Sequence, residues 1–182
     1  MKNKNTSQLS RVLPVEDAKQ LMNEIEQIEE GRLALMFALI LFAGIRSGEM
    51  ERIAAAVISG EHEAIFGTEH QEIFFGNERT ITVRSTRISP NLAVWMERYS
   101  PGKPEHFDLR LLERWRPVMA KKYDIPKNGL RRTFFCYRAA TYGIEATARE
   151  AGLSCENLQL LLHRQHLSKS DVEAFWAIRP RN

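Results

Sequence analysis

Two arginines stand in short segments that suit phosphate chemistry. Arg46 lies in Gly44-Ile45-Arg46-Ser47-Gly48-Glu49, at the end of an apolar run. Arg131 lies in Asn128-Gly129-Leu130-Arg131-Arg132-Thr133, at the head of a helical pattern. Guanidinium groups arriving from two distant segments can grip one phosphoryl group bidentately, which lysines do less well. Cations so placed oppose the charge that grows on non-bridging oxygens during phosphoryl transfer. The alternative for each arginine taken singly is a surface or ion-paired side chain. Glu49, three residues after Arg46, is either a buttress for that arginine or an ordinary acid on a helix surface.

Charge is unevenly distributed. The 182 residues carry 26 Lys and Arg against 23 Asp and Glu, a formal net charge of +3. Between Lys103 and Arg138 stand ten Lys and Arg and four Asp and Glu, whereas Glu24 to Glu30 and Glu61 to Glu72 are acid-rich. A basic half of this kind suits an anionic partner. Cys136 and Cys155 lack ligand spacing and read as free, buried thiols. Nothing implies a cofactor or a metal. Leu33 to Ile45, thirteen residues, is too short to span a bilayer and reads as a core helix, so no membrane partner is expected. The polar N-terminus has no signal-peptide core, which implies a cytoplasmic protein.

The elements that must position the two arginines follow from periodicity and caps. Pro14 to Asp17 opens a helix carrying Ala18, Leu21, Met22, Ile25 and Ile28 at helical spacing. Gly31 separates it from the apolar Leu33 to Ala43 helix, and another helix runs from Gly48 to about Ile58. Glu72 to Val83 is β-branched and aromatic with a turn signal at Gly76-Asn77, so Ile73 to Phe75 and Thr80 to Val83 form a hairpin or part of a small antiparallel sheet. Ser89-Pro90 opens a helix, and Phe107 to Met119 forms a further one closed by Asp124-Ile125-Pro126. Helices follow at Leu130 to Tyr142, Ile144 to Ala151, Ser154 to His163 and Ser168 to Trp176, with Ser154 and Ser168 as N-caps. The fold class is mainly α with a small antiparallel sheet (α+β). Residues 1–12 read as a flexible lead, 13–178 as one domain and 179–182 as a tail.

In this order and spacing the segments resemble the catalytic domain of tyrosine recombinases, the phage integrase family. The stretch from Leu41 to Glu49 is similar to the family's first arginine box. Leu130-Arg131-Arg132-Thr133-Phe134 is similar to its second, with Asn128 where a histidine is usual. Ala151 to Ser154 is similar to the turn before the third box. His166 then takes the place of the third-box histidine, and nine residues on, Phe175 takes that of the nucleophilic tyrosine.

The resemblance implies a DNA-binding protein of the recombination and integration type, with Arg46, Glu49, Asn128, Arg131, His166 and Phe175 as its catalytic positions. It further implies Arg79, Arg84, Arg87, Lys127 and Arg132 as DNA contacts. Arg84 and Arg87 have a structural alternative, charges guarding a solvated strand edge. Three positions depart from the family: Phe175 has no hydroxyl to attack phosphorus, Asn128 cannot shuttle a proton, and no lysine stands in the hairpin turn Asn77-Glu78-Arg79-Thr80. Tyr137 and Tyr142 read as packing or surface residues. DNA binding without strand cleavage is therefore expected. The alternatives are an active recombinase represented by an isolated or inactivated domain, and an interaction module that docks on another recombinase subunit through Val172 to Ile178.

Overall fold

The computed structural model describes residues 11–67, 72–77, 80–162 and 167–181. Helix α1, Val15–Ile25, buries Ala18, Leu21, Met22 and Ile25 on one stripe. It stops there because Glu29 and Glu30 adopt left-handed backbone (φ 48° and 57°) in a 3₁₀ turn, Ile28–Gly31. Ile28 falls in this 3₁₀ turn and still packs, partly buried, against the core. Helix α2, Ala34–Ala43, is buried along its entire length. A helix apolar on every side has to be central, and α2 packs against α1 and two of the helices described below.

Gly44 ends α2 at φ +64°. A Cβ at this position would come 2.5 Å from Cδ1 of Phe134, so only glycine fits both the turn and the packing. Helix α3, Ser47–Ser59, starts at once from an extended Arg46. After a single helical turn, α4 (His62–Ile65), the chain enters a small antiparallel sheet of order β1-β2-β3. Its strands are β1 (Phe66–Gly67), β2 (Glu72–Asn77) and β3 (Thr80–Arg87). Ile73 pairs with Phe66 on one side and Thr86 on the other, and the β2–β3 register is irregular between Phe75 and Asn77. The expected Gly76-Asn77 turn is instead the end of β2, and residues 78–79 between the strands lie outside the described residues.

Among the described residues six further α-helices follow: α5 (Pro90–Arg98), α6 (Leu109–Lys122), α7 (Gly129–Tyr142), α8 (Ile144–Ala151), α9 (Cys155–Leu162) and α10 (Lys169–Trp176). Ser89 precedes α5 as its N-cap residue, with proline at the first helical position. Ser168 caps α10 by accepting from the Asp171 N–H at 3.1 Å. Ser154 Oγ accepts from the Asn157 N–H at 3.2 Å, the same device at α9. The partners of α2 are α5 and α7, while α8 packs against α7 and β3. No described helix is long and apolar enough to cross a membrane.

Both ends of the expected domain are tied into the body. Val12 is buried, the Leu13 N–H donates to Thr133 Oγ1 at 2.9 Å, and Arg11 pairs with Asp17 and Asp124. Packed structure thus begins within the expected lead, and residues 1–10 lie outside the described residues. At the other end, the Arg181 backbone N–H donates to Glu26 Oε2 at 3.0 Å. The segment from Val172 to Ile178 folds onto its own chain. Phe175 and Ile178 are buried, Trp95 Nε1 donates to the Ile178 carbonyl at 3.2 Å, and Trp176 Nε1 donates to Thr141 Oγ1 at 2.8 Å.

Candidate functional site: a cationic cavity at two helix N-termini

Helices α3 and α7 begin next to each other, each presenting backbone N–H groups that have no intrahelical acceptor. Arg46 stands at the N-cap of α3, where the Glu49 carboxylate reaches back to accept its N–H at 2.7 Å. Asn128 precedes α7 in left-handed backbone (φ 61°) and leaves its side chain uncommitted to capping. Arg131 follows one turn later.

Two helix C-termini hold the arginines from behind. The Gly44 carbonyl, at the end of α2, accepts from Arg131 Nε at 2.9 Å and from Arg84 Nη2 at 3.3 Å. The Ala151 carbonyl, at the end of α8, accepts from Arg46 Nη2 at 3.0 Å and Arg131 Nη2 at 3.2 Å. Cations belong at such ends, where orphan carbonyls concentrate the negative pole of the helix. The Arg131 guanidinium also lies 4.7 Å above the Phe135 ring.

Beneath this pair lies Arg84. Strand periodicity puts Arg84 and Thr86 on the inner face of β3, so both are buried, whereas Arg87 points out with its side chain 67% exposed. Arg84 grips Glu49 bidentately, Nε to Oε1 at 3.1 Å and Nη2 to Oε2 at 3.0 Å, and its Nη1 donates to the Glu150 carbonyl. The expectation that Arg84 touches DNA or guards a strand edge is thereby corrected, because the side chain is interior and already bound.

Electrostatics set this cluster apart. Among the described residues Glu49 is the carboxylate hydrogen-bonded to this cluster, while the Glu150 carboxylate is held by Arg138 at 2.6 and 2.9 Å and acts on Arg84 only through space. Three guanidinium groups, Arg46, Arg84 and Arg131, therefore share one buried acid, which leaves two positive charges in excess. Burial, then the charges of Arg46 and Arg84, push the Arg131 guanidinium down to about 10. It stays protonated at neutral pH, but the site resists further positive charge and favours an anion.

The cluster opens into a cavity of about 310 Å³ lined by Arg46, Ser47, Arg116, Lys127, Asn128 and Arg131 over an apolar floor that includes Ile40, Ile45 and Leu130. Among the described residues, four cations and no carboxylate line it. Arg116, which sequence reasoning did not single out, enters from α6 and donates to Ser47 Oγ at 2.8 Å. The signal available for it was its place in the basic stretch from Lys103 to Arg138.

Of the residues expected to act together, Arg46, Lys127, Asn128 and Arg131 line this cavity, and Glu49 lies under it. Arg87 instead borders a separate, larger cavity with His62, Pro90 and Tyr142. Arg132 does not line the cationic cavity, and its Nε and Nη1 are sealed from solvent without an acceptor among the described residues. Phe175 is fully buried in the core. Its ring is parallel to that of Tyr137 with centroids 3.9 Å apart, and it meets Phe42 edge-on at 5.3 Å. Position 175 is thus a packing position in this fold rather than part of the cavity wall. Arg79 and His166 lie outside the described residues.

Among the described residues no group of three His, Cys, Asp or Glu is placed to hold a metal, and Cys136 and Cys155 are free thiols. What the arrangement offers is recognition of a phosphate-like anion by fixed guanidinium groups and helix N-termini. Comparison with family models, curated proteins and solved structures returns no match to this chain.

Proposed function

We propose that this protein binds DNA through its phosphodiester backbone, with Arg46 and Arg131 on one phosphate and Arg116 and Lys127 beside it, as a relative of the tyrosine recombinases that does not cleave the strand. The observation that carries the proposal is the cavity lined by four cations and no carboxylate, set where two helices begin. Guanidinium groups fixed by backbone carbonyls need no reorganisation when an anion arrives, so binding avoids part of the ordering cost of flexible side chains. The order of the segments that supply Arg46 and Arg131 agrees with the recombinase resemblance.

The reading without cleavage is supported by position 175. Phenylalanine has no hydroxyl, and its ring is enclosed by Tyr137, Phe42 and Trp176. Among the described residues no tyrosine lines the cavity. The role as an interaction module receives no support from Val172 to Ile178, because that segment spends its large apolar side chains on its own core. Phosphate contacts displace condensed counterions, so the test is salt-sensitive binding to duplex DNA that weakens when Arg46 and Arg131 are both replaced by alanine. Absence of binding by folded protein at low salt contradicts the proposal.

A further inference from the structure

We propose that Arg84 is a positioning residue that holds the Glu49 carboxylate off Arg46, so that Arg46 keeps its charge for the bound anion; this rests on the DNA-binding reading above. Arg84 cannot meet DNA itself, being 7% exposed and absent from the cavity wall. Its guanidinium is committed to both oxygens of Glu49, to the Gly44 carbonyl and to the Glu150 carbonyl. Glu49 is as deeply enclosed, yet Arg46 Nη1 lies only 3.8 Å from its Oε1. That distance is long for a hydrogen-bonded pair and short for an attraction. The carboxylate lies between two guanidinium groups and is bonded to the interior one.

Removing Arg84 leaves a buried carboxylate without its main partner, a state with a large penalty unless another cation comes to it. Arg46 is the nearest one, and its side chain is 45% exposed and held, among the described residues, by a single hydrogen bond to the Ala151 carbonyl. Closing 3.8 Å to a hydrogen bond draws Arg46 off the Ala151 carbonyl and inward, away from the anion. Arg84 thus acts on the ligand through Glu49. A direct contact predicts something different, because deleting Glu49 as well would then restore nothing.

The experiment compares wild type, Arg84→Gln and the double variant Glu49→Gln/Arg84→Gln by two readouts. One is the guanidinium Nε–H resonance of Arg46 in ¹⁵N NMR of the protein alone, and the other is fluorescence anisotropy with a duplex oligonucleotide. In Arg84→Gln the Arg46 resonance shifts as it pairs with Glu49. Affinity falls about eight- to tenfold at 0.1 M salt, the contribution of one phosphate contact. In the double variant both return towards wild type.

An unmoved Arg46 in folded Arg84→Gln, or a double variant as weak as the single one, overturns the proposal. If wild type binds no DNA while the Arg46 shift appears and reverts, Arg84 still positions Arg46 and the DNA-binding reading alone falls. Should Arg84→Gln not fold, Arg84→Lys takes its place, since an ammonium cannot serve both Glu49 oxygens and both carbonyls. A smaller shift in the same direction then supports the proposal, and an unmoved Arg46 overturns it.

Discussion

Restoring the missing hydroxyl with Phe175→Tyr is the obvious way to seek cleavage activity, and the structure predicts that it costs stability and yields no activity. The Phe175 ring is 0% exposed, stacked on Tyr137 at 3.9 Å and flanked edge-on by Phe42 at 5.3 Å and Trp176 at 5.0 Å. A hydroxyl placed in these surroundings without a partner costs about 1–3 kcal/mol. Fitting the extra atom into a close-packed core adds about 1–3 kcal/mol. The sum, about 2–6 kcal/mol, corresponds to a fall in Tm of roughly 4–24 °C for a domain of this size. Thermal melts followed by circular dichroism give the first number. Incubation with labelled duplex DNA followed by denaturing electrophoresis tests for a covalent adduct, and none is expected. A variant as stable as its parent that forms a covalent DNA complex refutes this reasoning, because position 175 would then have to reach a phosphate from inside the core.

Arg116→Ala lowers the slope of log affinity against log salt by about one unit, whereas Arg132→Ala leaves it unchanged, because only Arg116 lines the cavity; equal effects on a salt titration contradict that assignment. Gly44→Ala places a methyl 2.5 Å from Phe134 in left-handed backbone at φ +64°, and urea unfolding should register a loss of about 2–5 kcal/mol. Burial pushes the hydroxyls of Tyr99, Tyr123 and Tyr137 up to about 12, aided for Tyr99 by its bond to Glu26 and for Tyr123 by Glu24. The folded state therefore holds these protons longer than the unfolded chain, and the associated stability is complete below about pH 10 and lost between about pH 10 and 12. Absorbance at 295 nm should show three of the four tyrosines ionising late, and normal titration in protein that is still folded would be inconsistent with the burial described.

Local devices were legible in the sequence. The Ser154 and Ser168 caps, the fully apolar α2 and the turn glycine at 44 each depend on a few adjacent residues, and each stands where its chemistry requires. The pairing of Arg46 with Arg131 was also legible, since both box-like segments end up at helix starts. Arg84 was not legible as an interior residue. Its partner Glu49 is 35 positions away, and a strand pattern cannot tell a buried charge with a distant partner from an exposed one. Phe175 sits one residue before Trp176 in a short amphipathic helix, and counting from a histidine fixes its number but not which way the helix faces. Arg116 escaped notice because its partner Ser47 is 69 positions away. The early end of α1 reflects left-handed backbone at two glutamates, a conformation their side chains do not advertise.

The central claim is tested most directly by duplex DNA binding measured by anisotropy at 50 and 200 mM salt for wild type and Arg46→Ala/Arg131→Ala. With four cations on the phosphates, wild-type affinity should fall on the order of a hundredfold across that range, and the double variant should bind more weakly with about half the slope. A folded wild-type protein that does not bind at 50 mM salt, or a double variant with unchanged affinity and slope, contradicts the account.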